Sequence, residues 1–316
     1  MRALTLMHEI DIVIVNWNAG PQLRDCLASV AIAAKCSVNL GRVVVVDNNS
    51  TDNSLDGIDA FQLPVQLIKN GENRGFGAAC NQGAIGSTAE YLLFLNPDAV
   101  LHEDSLTGSI EFMTNPKHSS VGILGIKLFD KYGDVSRTCA RFPTTQMFVV
   151  KALGLHNLFP RFFPSYVMDE WDHDTSREVD HVIGAFYFVR RSLFESLGGF
   201  DEQFFVYLED LDFSFRTHLA GWKIYYLASV SAFHKGGGVS DQIKAIRLFY
   251  SLRSRIVYVH KHFKQHQAFL VVAGTLVVEP IVRLVKAMFS FSTSQMIETL
   301  EGYWMLWSML ARRFRG

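Results

Sequence analysis

Cysteine is scarce and scattered. Cys26, Cys36, Cys80 and Cys139 show no C-x-x-C spacing, which excludes a disulfide frame and a zinc ribbon. They read as reduced thiols of a cytosolic compartment. Charge imbalance is also missing. A net charge of −1 leaves no global field to draw in nucleic acid, so a nucleic-acid partner is not expected. The first residues, M-R-A-L-T-L-M-H-E-I-D, have no extended apolar core and no small-residue cleavage site, which argues against a secretory signal. The apolar run Ala268–Val278 stops at Glu279-Pro280, short of the ~20 residues a spanning helix needs, so a clean transmembrane segment is not expected. Phosphate-loop spacing, G-x-x-x-x-G-K-[ST], is absent. Gly75 and Gly77 form a G-x-G, but Cys80 stands where the third glycine of a dinucleotide fingerprint belongs. That fingerprint would also follow the first strand, not the third. A nicotinamide cofactor is therefore not expected.

What is present is 316 residues, 49% hydrophobic and 19% charged, enough for one large α/β domain plus an appendage, or for two domains. The β-branched runs Ile10–Asn16 and Arg42–Val46, with Val65–Lys69 and Tyr91–Leu95, read as strands. Between them Gln22–Ala34 and Ala78–Ser87 have helical character, so the alternation predicts a parallel sheet covered by helices. Pro97 cannot donate to a ladder and should end the fourth strand. Three strands then run into polar loops, at Asn16-Trp17-Asn18, Asp47-Asn48-Asn49-Ser50 and Asn96-Pro97-Asp98. In an open α/β sheet such loops lie along one edge and can share one ligand.

Further on, Ser105–Met113 reads as a helix and Val121–Leu128 as a strand. Phe142–Tyr166, aromatic and punctuated by proline, reads as an irregular excursion, either substrate-facing or a loose insert. Val179–Arg190 is an apolar strand interrupted by Gly184-Ala185, where another group is expected to approach the backbone. Ser192–Leu197 is a short helix, and Leu211, Phe215 and Leu219 mark an amphipathic helix whose first turn is acidic. Asp212 and Arg216 can pair on it, whereas Asp210 points elsewhere. Ile224–Leu227 is a strand, followed by a loop holding His234 beside Gly236, Gly237 and Gly238. Between Asp241 and His266 six Lys or Arg residues face one acidic residue. With Tyr303, Trp304, Trp307, Arg312, Arg313 and Arg315, this tail fits helices lying on a membrane surface. The competing reading packs the tail on the main domain or on a second subunit.

In this order V-I-V-N-W-N, V-V-D-N-N-S-T-D, N-x-G-F-G-x-A-x-N, Y-L-L-F-L-N-P-D, G-G-F-D-E-x-F-F-V-Y-L-E-D-L-D-F-S-F-R and F-H-K-G-G-G resemble the inverting family 2 glycosyltransferases. Within them the chain is most similar to bacterial rhamnosyltransferases that build cell-surface polysaccharides. The resemblance spans roughly residues 8–240. It implies a GT-A fold, a Rossmann-like mixed and mostly parallel sheet flanked by helices, over 1–240. Residues 241–316 would be a C-terminal helical, membrane-associating extension. It also implies a nucleotide-diphosphate sugar donor, dTDP-rhamnose being favoured over UDP-hexose or galactofuranose donors, and Mn²⁺ or Mg²⁺. The acceptor would be lipid-linked or a polysaccharide, at the cytoplasmic face of a bacterial inner membrane. A non-catalytic nucleotide-sugar or glycan-binding module is the alternative of another class, which Asn96 favours.

The resemblance assigns roles by position. Asp47 matches the acidic residue beside the donor base, where a carboxylate can accept from a pyrimidine N3–H. Asn16 and Asn49 share its loops. Asn73, Gly75 and Asn81 match the N-x-G…N segment near the nucleotide, where Arg74 either reaches a phosphate or faces solvent. Asn96-Pro97-Asp98 matches a D-x-D element with Asn in the first place, which leaves Asp98 as metal ligand, Asn96 as a weaker neutral donor and His234 to complete the site. Asp210 falls on the catalytic base, with Glu209 orienting it or binding acceptor. Gly184 and Ala185 line the acceptor side.

Overall fold

The computed structural model describes residues 8–35, 38–155, 159, 161–163, 165–236 and 244–313. Cys36, Gly237, Gly238 and Arg315 fall outside them. Cys26, Cys80 and Cys139 are free and buried.

The described residues form two units. The first is built on a nine-stranded sheet that runs, edge to edge, from Val65–Lys69 through Asn39–Asp47, Glu9–Asn16, Tyr91–Leu95, Phe186–Arg190, Val121–Phe129 and Lys223–His234 to Ala99–Leu101, with Arg177–Val179 paired to Lys223–His234. Its parallel half comprises β1 (Glu9–Asn16), β2 (Asn39–Asp47), β3 (Val65–Lys69) and β4 (Tyr91–Leu95). The valine and isoleucine runs of β1 and β2 and the apolar β4 are buried on both faces, as a sheet covered by helices requires. α1 (Gln22–Ala33), α2 (Phe76–Ala84) and α3 (Ser105–Thr114) provide part of that cover. Gly83 lets α2 lie directly on Val13 and Val46, which a Cβ would strike.

The second half is mixed. β10 (Phe186–Arg190) inserts antiparallel between β4 and β6 (Val121–Phe129). β11 (Lys223–His234) runs parallel to β6 and antiparallel to both β5 (Ala99–Leu101) and β8 (Arg177–Val179). β7 (Cys139–Ala140) and β9 (His181–Val182) form a separate small ladder. The expected single strand Val179–Arg190 is thus three short ones. The expected strand Ile224–Leu227 instead continues to His234, so His234 closes a strand and does not sit in a loop. A three-residue register shift between Leu227 and Ser231 carries it that far. Helices α5 (Arg191–Ser196) and α6 (Glu209–Leu219) complete this unit.

The second unit joins Phe142–Val167 and Gln203–Leu208 to the chain after residue 240, so its material comes from both sides of that expected boundary. Phe142–Tyr166 is not wholly irregular. It contains α4 (Thr145–Ala152), whose N-cap Thr144 accepts from the Met147 N–H at 3.3 Å. α7 (Lys244–His262), α8 (Gln265–Phe289) and α9 (Thr293–Arg313) follow. Glu279-Pro280 does not cut the apolar run. Gly274–Val278 forms a π-turn, and Pro280 falls just after it, where the regular ladder is already displaced. α8 is therefore a continuous helix of 25 residues, long and apolar enough to cross a membrane. Inside this unit Leu252, Tyr303 and Leu306 form a buried cluster.

Candidate active site

Strand register brings the polar loops together. Asn16 pairs with Asp47 across β1 and β2, Ile14 with Leu95 across β1 and β4, and Leu95 with Phe186 across β4 and β10. Asn16, Asp47, Asn96 and Ala185 therefore line one sheet edge.

On the β1–β2 side, Asn16 is buried and its Nδ2 donates to Asp47 Oδ1 at 2.8 Å, Ser54 Oγ at 2.8 Å and Ser50 Oγ at 3.0 Å. Asp47 Oδ2 accepts from the Ser50 N–H at 3.2 Å. A carboxylate has about four acceptor sites, so Asp47 keeps capacity for a ligand N–H. Asn49 is exposed, with φ +62°. Asn48 was not singled out from the sequence. It donates to Gly75 O at 3.0 Å and accepts from Asn70 at 2.9 Å, tying the glycine loop to β2. Asn73 accepts from the Gly75 N–H at 2.9 Å, and Gly75 takes φ +88° and ψ 170°, a conformation open to glycine. Arg74 is exposed beside it.

Asn81 is placed differently. Its amide donates to Phe200 O at 2.8 Å and Glu202 Oε1 at 3.1 Å, and accepts from the Phe200 N–H at 2.8 Å. Those bonds make it a brace between α2 and the turn after α5. A nucleotide contact by Asn81 finds no support in this geometry.

On the β4–β5 side, the pairing of Ala99 with His234 sets Asp98 beside the imidazole. Asp98 Oδ1 lies 3.2 Å from His234 Nε2, with side-chain exposures of 11% and 13%. Asn96 Nδ2 lies 3.3 Å from the same nitrogen. Among the described residues no group of three or more His, Cys, Asp or Glu converges. Half a turn of the Asn96 amide would present its oxygen, giving one carboxylate, one imidazole and one amide oxygen. That set fits a divalent cation whose remaining positions are filled by phosphate oxygens and water.

Gly184-Ala185 joins this cluster to the acidic helix. The Ala185 carbonyl accepts from the Asn96 N–H at 3.0 Å, and the Gly184 N–H donates to Asp210 Oδ2 at 2.8 Å. Asp210 Oδ1 accepts from the Leu211 N–H at 2.8 Å. A Cβ on Gly184 would stand 3.3 Å from Asp210 Oδ2 and 3.6 Å from Phe76, so the glycine is what lets the carboxylate approach.

Behind Asp210 lies a group the sequence did not reveal. His181 Nε2 is 3.8 Å from Asp210 Oδ2, its Nδ1 is 3.0 Å from Ser214 Oγ, and Ser214 meets the Tyr187 hydroxyl at 2.9 Å. Burial holds the His181 imidazole below the usual histidine range, against the opposing pull of Asp210. Each of the three is ordinary in the sequence, and only the packing of β9 and β10 on α6 unites them.

Glu209 is buried under Gly77 and Phe200, and its Oε2 has no partner. Burial, then the charges of Asp210 and Asp212, push it well above the usual carboxylate range. So buried a side chain offers no surface for an acceptor to contact. Asp212 is fully buried and pairs with Arg216 at 2.8 Å, while the same guanidinium donates to Leu197 O and Gly199 O, each at 2.8 Å.

Residues 11–198, more than half of the chain, match the family model described as glycosyl transferase family 2. The chain is 28% identical to the N-acetylglucosaminyl-diphospho-decaprenol L-rhamnosyltransferase of Mycobacterium tuberculosis over 71% of this chain and 75% of that one. It is 28% identical to the rhamnosyltransferase WbbL of Escherichia coli over 46% of this chain and 52% of that one. Among solved structures, the mannosyltransferase PcManGT of Pyrobaculum calidifontis, in complex with GDP-Man and Mn²⁺, aligns with a TM-score of 0.57 at 15% identity, over 96% of this chain and 88% of that one. S. aureus TarS 1–349 with UDP-GlcNAc aligns with a TM-score of 0.52 at 16% identity, over 92% and 79%. The fold is GT-A, as the sequence motifs imply.

Proposed function

Since this chain belongs to glycosyl transferase family 2, we propose that it is an inverting transferase that moves L-rhamnose from dTDP-rhamnose to a hydroxyl of a lipid-linked or polysaccharide acceptor. It works at the cytoplasmic face of the bacterial inner membrane, in cell-envelope glycan synthesis. The observation that carries the catalytic part is the bridge through Gly184-Ala185, which holds Asp210 on one side and Asn96, with Asp98 and His234, on the other. The rhamnose donor is supported by the names of the Mycobacterium tuberculosis and Escherichia coli relatives.

The reaction is one displacement. The acceptor oxygen forms a bond to the anomeric carbon as the bond from that carbon to the diphosphate oxygen breaks, which inverts the centre. Asp210 takes the acceptor proton as the oxygen attacks. Its carboxylate is aimed by the N–H groups of Gly184 and Leu211, so little reorganisation precedes the step. Asp47 accepts from the thymine N3–H, and the Gly75 backbone admits the nucleotide. Asp98 and His234, with the Asn96 oxygen, would hold Mn²⁺ or Mg²⁺, which when bound supplies charge to stabilise the leaving diphosphate. A side-chain nucleophile has no part in this scheme.

Calorimetry with dTDP-rhamnose, UDP-galactose and UDP-galactofuranose, each with Mn²⁺ or Mg²⁺, tests the donor. Tight binding of dTDP-rhamnose alone is expected, and preference for a UDP-sugar would overturn that donor. Release of dTDP on adding acceptor, lost in Asp210→Asn, separates an enzyme from a binding module. If Asp210→Asn binds donor and turns over unchanged, the base assignment is wrong.

A further inference from the structure

A cavity of about 460 Å³ opens at one end of the α7–α8–α9 unit. It is lined by Lys244 and Arg247 of α7, Arg283 and Lys286 of α8, and Glu298 and Thr299 of α9. Among the described lining residues four cations face one acid, although Arg247 has a further partner of its own, in a chain whose net charge is −1. Glu298 also accepts from Ser294 Oγ at 2.7 Å and lies 3.7 Å from Lys244, so part of its charge is answered. Arg283 is held in place. Buried Glu279, paired with Arg255 of α7, accepts from Arg283 Nε at 3.0 Å and from a terminal nitrogen at 2.9 Å. The bonds to Glu279 use two of its five N–H donors. Such a charge balance suits an anion of phosphate type.

The surface beside the cavity says where that phosphate comes from. Lys286 is followed at once by the α8–α9 corner, where Phe289 is 83% and Phe291 95% exposed. Phe291 also has φ +48°, the left-handed region that favours glycine at a helix end. A bulky ring in that conformation, held out into water, opposes both local strain and hydration. Contact with an apolar phase removes the second penalty and accounts for the choice of residue. Along α8 the exposed Leu270, Val277, Ile281, Val285 and Met288 recur at helical spacing, as a single apolar stripe.

We infer that the α7–α8–α9 cavity binds the phosphate of an anionic membrane lipid, while Phe289 and Phe291 enter the adjoining acyl layer. The source of the phosphate rests on the membrane-surface reading above, and the cavity's preference for phosphate does not.

Flotation of the full chain with vesicles of phosphatidylcholine, alone or with phosphatidylglycerol, tests it. Binding is expected to the mixed vesicles only. Lys286→Glu should weaken it at least about tenfold, whereas Lys117→Glu, the same charge change at an exposed position outside this unit, should stay within about twofold. Phe291→Gly relieves the left-handed strain, so it should melt no lower than wild type yet bind vesicles several-fold more weakly. Equal losses in Lys286→Glu and Lys117→Glu would mean diffuse attraction and overturn the site while leaving membrane association intact. A wild-type chain that ignores both vesicles but binds inorganic pyrophosphate through Lys286 would overturn the lipid source. Binding of neither probe overturns the site and the membrane reading together.

Discussion

Glu209 and Asp210 are adjacent acids with opposite surroundings. Asp210 accepts two backbone N–H bonds at the sheet edge, whereas Glu209 lies under α2 with one oxygen unpartnered. Environments that differ this much separate an acid–base group from a structural one. Asp210→Asn should lower turnover by about 10²–10⁴, while Glu209→Gln should keep it within about threefold, the side chain being buried and nearly unchanged in volume. The two variants should differ in stability as well. The folded protein holds the Glu209 proton above the usual carboxylate pKa, and the unfolded chain releases it there. Wild-type stability contributed by this group is thus complete below that value and falls as pH rises through the raised one. Glu209→Gln should flatten this fall, visible as melting temperatures that gain on wild type from pH 5 to pH 8. Gly184→Ala probes the approach itself. A Cβ at 3.3 Å must displace the carboxylate by a few tenths of an ångström, so kcat should drop about tenfold with donor KM little changed.

Among the elements, α6 is fixed by a clamp that the sequence disclosed. Asp212 and Arg216 sit four apart, and their pairing was legible from helical spacing alone. Its reach was not. Arg216 also holds the carbonyls of Leu197 and Gly199, a contact set by the chain reversal after α5. Asp212→Ala leaves a part-buried guanidinium short of its counter-charge and should cost about 3 kcal/mol, read by urea titration. Asp212→Ala with Arg216→Met should regain part of that loss, because no uncompensated charge remains. The same contrast runs through the fold. β1, β2 and β4 announce themselves as apolar runs, and the polar residues at their ends are visible as motifs. β10 lies between β4 and β6 because of pairing across long separations, which local pattern does not encode. α4 was hidden because its aromatic surroundings obscure an eight-residue helix with a single cap.

At the scale of the whole molecule, the boundary expected at residue 240 is where sequence reasoning reached least far. Resemblance to the transferase family ends near there, so the tail reads as an appendage. In the structure the second unit also contains Phe142–Val167 and Gln203–Leu208. Arg255 lies over Phe148 at 5.6 Å, Lys261 over Phe204 at 5.8 Å, and Tyr250 stacks on Phe205 at 4.5 Å. Ser254 donates to Val206 O at 2.8 Å. Gln203–Leu208 leads directly into Glu209 and Asp210, and its last residues, Tyr207 and Leu208, have φ +69° and +67°. Two non-glycine residues in that region cost about 1–2 kcal/mol each, a strain that persists only where packing over-determines it. Removing residues 241–316 takes away Tyr250, Ser254, Arg255 and Lys261, and with them the packing around that segment. The shortened chain should therefore expose Phe148, Phe204 and Phe205, bind a hydrophobic dye, and lose turnover on a soluble acceptor in detergent, where no membrane is needed. Full activity of the shortened chain on that soluble acceptor would show instead that the tail serves localisation alone.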